Sequence, residues 1–265
     1  MIFANPPLVE LIAELRWLPG GVEVPAPVPG AMVQFPIVPS HVEESFAKFL
    51  NQVAVQGFGM AERILPPGFP LLPFSVMYRV RKISAEDQNF LYQIGPGIFS
   101  ANALPPYRSW ETFKPIVEQG VRALLESRHI AERGDFTAVS LRYIDLFSDQ
   151  FSVGKLSFAF LNEVLGIKVA LPRALIEQMG DMSSAKSGLQ LSVPLRTGLT
   201  MNLNIQDGTA AGKNGIVMVT EVISTLPIAA NLQAIMRVLE NAHGSIRATF
   251  LSLTERLNDK MQPVQ

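Results

Sequence analysis

Glu14-Leu15-Arg16-Trp17, near the start of the chain, returns as Ser140-Leu141-Arg142-Tyr143 at its middle, 126 residues on from Arg16 to Arg142. Around the first copy the residues alternate. Leu11, Ala13, Leu15 and Trp17 fall on one side, and Ile12, Glu14 and Arg16 on the other. That is the period of a strand with one face buried. Phe136–Phe147 reads the same way. We therefore expect a tandem duplication in 265 residues, with boundaries at 1–133 and 134–265.

Each half reads as strand, helix, three strands, helix. In the first, Pro19-Gly20-Gly21 ends the opening strand, and Pro25, Pro27, Pro29 and Gly30 mark an irregular connection. Ser40 and Glu43 carry the spacing of a capping box for a helix to about Val55. Strands are expected at Gly59–Leu65, Ser75–Ser84 and Phe90–Leu104, then a helix from Ser109 to about Ser127. In the second half we expect a helix over Lys155–Leu165. Strands follow at Ala185–Leu195, Leu199–Gln206 and Ile216–Ser224, the last two turning at Asp207-Gly208. Ile228–Asp259 carries apolar residues at steps of three and four, which predicts one long helix. The expected fold is α+β, with antiparallel sheets gripping long helices in the helix-grip or TATA-binding-protein-like manner. Paired edge to edge, two such units would form one saddle.

Composition excludes several functions. The chain has no cysteine, which removes disulfides, thiolate metal sites and cysteine nucleophiles, and suits a reducing cytoplasm. Net charge is −1, against a broad phosphate-binding surface. Charged residues are 17%, below the roughly 25% of soluble domains, so part of the surface is expected to be covered by a protein partner or a second copy. Met1–Pro7 holds no basic segment, so no leader is expected. The long uncharged stretches Val24–Ser40 and Gln88–Tyr107 are broken by Pro and Gly, and no membrane span is expected.

Asn5-Pro6-Pro7-Leu8-Val9-Glu10, followed by Glu14-Leu15-Arg16, resembles the opening of a sporadically distributed prokaryotic family of unknown function. Arg142-Tyr143-Ile144-Asp145 resembles it again. So does the terminal segment, where His243, Phe250 and Thr254 fall on a helix. The resemblance implies no catalytic residue. The family's patchy occurrence implies horizontal transfer, common for defence and toxin–antitoxin loci.

No motif for catalysis stands out. Gly208–Gly215 resembles a phosphate-binding loop, but it has three residues between its glycines where four are needed. Asn214 follows Lys213, and a strand follows in place of a helix, so a hairpin loop is the favoured reading. His41, His129 and His243 have no ligand spacing, and neither metal nor cofactor is expected. No Gly-x-Ser-x-Gly elbow is present. The best polar constellation is Glu10, Glu14, Arg16, Arg142 and Asp145. It reads first as ion pairs fixing the junction of the halves, and second as an anion or nucleotide site. Arg79, Arg81 and Lys82, with Tyr78 nearby, are what a nucleic-acid-binding saddle would use. Phe250, Leu253 and Leu257 continue the apolar stripe beyond what one small sheet can cover. Either that helix breaks near His243-Gly244 or these three pack on a second chain. The leading expectation is a non-enzymatic interaction or regulatory protein, with a nucleic-acid-binding saddle and an anionic-ligand binder or enzyme as alternatives.

Overall fold

The computed structural model describes residues 2–19, 41–66, 69, 72–84, 88–106, 109–181 and 184–264. In chain order the elements of the first half are β1 (Ile2–Phe3), β2 (Leu8–Arg16), α1 (His41–Ala54), β3 (Phe58–Arg63), β4 (Tyr78–Lys82), β5 (Phe90–Gly95), β6 (Ile98–Ala103) and α2 (Trp110–Ser127). Then come β7 (Ala138–Phe147), α3 (Asp149–Ser152), α4 (Ser157–Ala159) and α5 (Arg173–Ile176). The chain ends with β8 (Leu189–Pro194), β9 (Leu199–Ala210), β10 (Lys213–Ser224), α6 (Leu232–Leu253), α7 (Asn258–Met261) and β11 (Pro263–Val264). The fold is mixed α+β, with an antiparallel sheet of nine strands in the order β3-β4-β5-β6-β2-β7-β10-β9-β8.

Two compact units divide the chain. The N-terminal unit is Ile12–Leu141 with Ser224–Glu240, and the C-terminal unit is Met1–Leu11, Arg142–Ile223 and Asn241–Gln265. Both are discontinuous, because β2, β7, β10 and α6 each contribute residues to both.

In the N-terminal unit, α1 and α2 cover one face of the sheet. Phe49 of α1, Tyr92 of β5, Phe99 of β6 and Leu124 of α2 are essentially fully buried. The Tyr92 hydroxyl donates to the Ile116 carbonyl at 2.7 Å, satisfying the one polar atom that aromatic brings into the core. Gly120 is what lets α2 sit so close. A Cβ there would lie 2.6 Å from the Tyr92 ring and 2.7 Å from the Phe99 ring.

In the C-terminal unit, Leu199, Met201, Leu203 and Ile205 of β9 alternate inward. With Phe147, Phe160, Ile216, Met218, Leu257 and Met261, the last two of these four line one core. The other face of the same strands, with Thr200, Asn202, Val219, Glu221 and Ile223, is half-buried.

Several expectations change. Phe90–Leu104 is two strands, because Pro96-Gly97 turns the chain, with Gly97 at φ +72°. The first half therefore has four strands after its helix. Lys155–Leu165 is not a regular helix but α4 followed by a π turn over Phe160–Val164. The β9–β10 turn lies at Ala211-Gly212, both at positive φ, as a tight two-residue hairpin requires. Asp207-Gly208 lies within β9, so the expected loop is a tight hairpin tip. α6 runs unbroken through His243-Gly244 and ends before Thr254. Ser40 and the Pro25–Gly30 connection lie outside the described residues.

Candidate functional site

The two outer strands of the sheet are built differently. β3, Phe58-Gly59-Met60-Ala61-Glu62-Arg63, breaks register between Phe58 and Met60 and carries two charges. Glu62 pairs with Arg79 at 3.4 Å, and Arg63 with Glu43 at 2.9 Å. A bulge and charges are the usual protections of a sheet edge. β8, Leu189-Gln190-Leu191-Ser192-Val193-Pro194, has neither. It holds register with β9 over all six residues, from Leu189 opposite Ile205 to Pro194 opposite Thr200. Its only blunting residue is the terminal proline. Leu191 and Val193 stand opposite Leu203 and Met201, on the side where β9 is buried, yet they are 42% and 46% exposed.

On the other side of β8 a polar ladder crosses the sheet. The Ser192 hydroxyl donates to Asn202 Oδ1 at 2.9 Å. Asn202 Nδ2 donates to Glu221 Oε2 at 3.4 Å, and Arg142 Nη2 donates to Glu221 Oε1 at 2.7 Å. Arg142, singled out from sequence, thus holds one end of a network that reaches the edge strand. It forms an ion pair there with Glu221.

Arg16 pairs instead with Glu14, Nε to Oε1 at 2.7 Å, and lies 5.7 Å from the centre of the Phe74 ring. This is an ion pair between residues two apart on one strand, at a partly exposed position where such pairs contribute little. Asp145 projects to the core side of β7. It is 3% exposed, and its Oδ2 has no hydrogen-bond partner. Burial pushes its carboxyl pKa up to about 7. Two residues earlier on the same side, the Tyr143 hydroxyl lies 2.8 Å from His243 Nδ1 of α6. Tyr143 is half-buried.

Tyr78, Arg79, Arg81 and Lys82 do not form one platform. Alternation along β4 puts Tyr78 and Lys82 on one face and both arginines on the other. Tyr78 is buried and donates to Glu43, and its pKa is pushed up to about 12 by burial and by that carboxylate. Lys82 lies over the Phe58 ring, and Arg81 donates to the Gln88 carbonyl. Nucleic acid would meet neither an exposed ring nor a run of open cations on this strand. Leu257, expected at an interface, is 2% exposed in the core of the C-terminal unit, with Phe250 and Leu253 packed against that core. The chain covers this stripe itself, through the turn after α6 and through Phe3, whose ring meets Phe250 edge-on at 6.0 Å.

Sequence reading missed a buried cluster in the N-terminal unit. Glu132 Oε2 accepts from Trp17 Nε1 at 2.7 Å, and Oε1 lies 2.9 Å from His41 Nε2. The His41 ring stacks on His129 at 4.2 Å. Arg128, 3% exposed, lies 5.0 Å from the Trp17 ring centre and 4.5 Å from that of Phe136. Its Nη2 donates to the carbonyls of Glu132 and Gly134, while Nε and Nη1 have no protein partner. Burial lowers its pKa to about 10, so it stays charged at neutral pH. It lines, with Trp17 and Glu132, a cavity of about 20 Å³, the room of one water. No period in the sequence marks these residues, since 115 positions separate Trp17 from Glu132. The cluster ties the end of α2 to Trp17 and His41.

Among the described residues no group of three or more His, Asp or Glu could hold a metal ion, and no helix is long and apolar enough to cross a membrane. Comparison with protein-family models and with curated proteins gives no match.

Proposed function

We propose that the chain is a non-enzymatic interaction module that binds a protein partner by adding a strand to β8. The observation that carries this reading is the contrast between the edges: β3 is bulged and charged, whereas β8 is straight, uncharged and exposed. Its partner is an extended segment with apolar residues at alternate positions. Main-chain hydrogen bonds would supply affinity, and contact with Leu191 and Val193 would supply specificity. The ladder from Ser192 to Arg142 holds β8 in register for that partner.

The same reading takes residues 1–133 and 134–265 as a duplicated helix-grip pair. Strand order supports it. Reading outward, β2 is followed by β6, β5, β4 and β3, and β7 by β10, β9 and β8. In each half the opening strand lies beside the last strand of its own meander. The family resemblance makes a prokaryotic defence or toxin-neutralising complex in the cytoplasm the setting we favour.

The test is capture from nuclease-treated native lysate by the wild-type chain and by a Leu191→Lys, Val193→Lys variant, with hydrogen exchange on the complex. The expected result is a protein that the variant fails to retain and that protects the β8 amides. Capture of nucleic acid alone, protection away from β8, or equal capture by the variant overturns the proposal.

A further inference from the structure

The C-terminal unit holds a cleft of about 550 Å³, within the size range of small-ligand sites. One wall is the β9–β10 hairpin, contributing Thr209 and Asn214. This is the Gly208–Gly215 stretch that resembles a phosphate-binding loop in sequence. The others are the turn carrying Lys155 and the segment carrying Lys186.

Both carboxylates in the wall already serve the chain. Asp207 accepts from the Ser157 amide at 3.3 Å and from the Ser157 hydroxyl. Ser157 in turn accepts from the Ser187 amide at 2.8 Å, which ties the Lys186 segment to the hairpin. Asp149 accepts from the Gly154 amide at 2.8 Å. What remains on offer is a set of donors. The Thr209 hydroxyl donates to Asn214 Oδ1 at 2.7 Å, which fixes that amide with its NH₂ group left over. Lys186 has no ion-pair partner among the described residues, and Lys155 contributes a second ammonium while paired with Glu163 at 2.5 Å.

We propose that this cleft binds a small phosphate-bearing metabolite, of sugar-phosphate or mononucleotide size, with Lys186 and Asn214 as its principal contacts. Ammonium and amide donors grouped on a tied-down frame favour an anion. No helix N-terminus is needed, because the donors are side chains. No residue of β8 lines the cleft, and the site stands or falls independently of strand addition there.

Isothermal titration and amide NMR of the full chain, at low salt, would use adenosine monophosphate, inorganic phosphate and citrate as probes. Binding of the phosphate compounds is expected to shift resonances around Thr209 and Asn214 and to weaken with salt. Lys186→Ala and Asn214→Ala should each weaken it by about tenfold or more, the loss of one charged or polar contact. Both positions lie on the surface, so circular dichroism should show both variants folded. Three results would overturn the proposal. They are no phosphate binding up to about 10 mM, binding unchanged in both variants, or citrate bound as tightly as the phosphate compounds.

Discussion

Asp145→Asn should make the protein more stable at pH 8 and leave it nearly unchanged at pH 4. Asp145 is buried on β7, its Oδ2 has no hydrogen-bond partner, and burial alone raises its carboxyl pKa to about 7. In the unfolded chain the same group titrates near 3.9. Between those values the folded state keeps a proton that the unfolded state has released. Stability therefore falls as pH rises from about 4 to about 7, and it is level on either side. A gap of about three pH units corresponds to something on the order of 4 kcal/mol between the two plateaus. That figure is a ceiling, since local relaxation and water entry reduce it. Asparagine keeps the shape and removes the charge, so this contribution to the pH slope should vanish. At pH 4, where wild type carries a neutral carboxyl, the variant should lie within about 1 kcal/mol, the scale of one hydrogen bond. Urea unfolding of both proteins at several pH values between 4 and 8.5 measures this directly. A variant less stable than wild type at pH 8 would mean that the carboxylate is held by a partner. Parallel pH profiles would mean that its folded and unfolded pKa values coincide. Either result refutes the reasoning.

The remaining predictions concern the N-terminal unit and the helix glycines. Trp17→Ala should destabilise by about 3–5 kcal/mol in urea, the range for emptying an aromatic core site, because it also strips Glu132 of a donor and Arg128 of a stacking ring. A loss below about 1 kcal/mol would place Trp17 on the surface. Gly120→Ala should cost about 1–3 kcal/mol through overpacking against Tyr92 and Phe99. Gly244→Ala, with nothing within 4 Å of the new methyl, should raise stability by about 0.5–1 kcal/mol. Thermal unfolding of the two variants should move in opposite directions, and a shared direction would contradict the packing described for α2.

Legibility followed the range of the interactions. Leu11, Ala13, Leu15 and Trp17 are all buried, as alternation requires. Ile235, Leu239, Ala242 and Ile246 fall on the buried stripe of α6, as steps of three and four require. Such patterns are local, and each residue votes for the same face. The errors came where a local signal was overruled at a distance. Asp207-Gly208 has the composition of a turn, but Asp207 is held by Ser157, fifty residues earlier, and the ladder runs on to Ala210. Phe90–Leu104 is uncharged and largely apolar on both sides of Pro96-Gly97, so its periodicity does not reveal that this dipeptide folds it back on itself. Arg16 has its partner two residues away, and that pair could be read; the Glu221 partner of Arg142 is 79 residues on, and could not. The same limit explains why the echo itself was readable while its use was not. Leu15 and Leu141 are fully buried, which their shared strand position demands. The aromatic residues beyond them diverge, because each meets the distant groups of its own unit. Trp17 donates to Glu132 just beyond α2, and Tyr143 bonds to His243 within α6. Position along a strand thus fixes where each aromatic side chain stands, while the distant groups around it decide what it does there. For the same reason the two outermost strands of the sheet differ: β3 is bulged and tied by ion pairs to Arg79 and Glu43, whereas β8 keeps unbroken register with β9 and carries no charge.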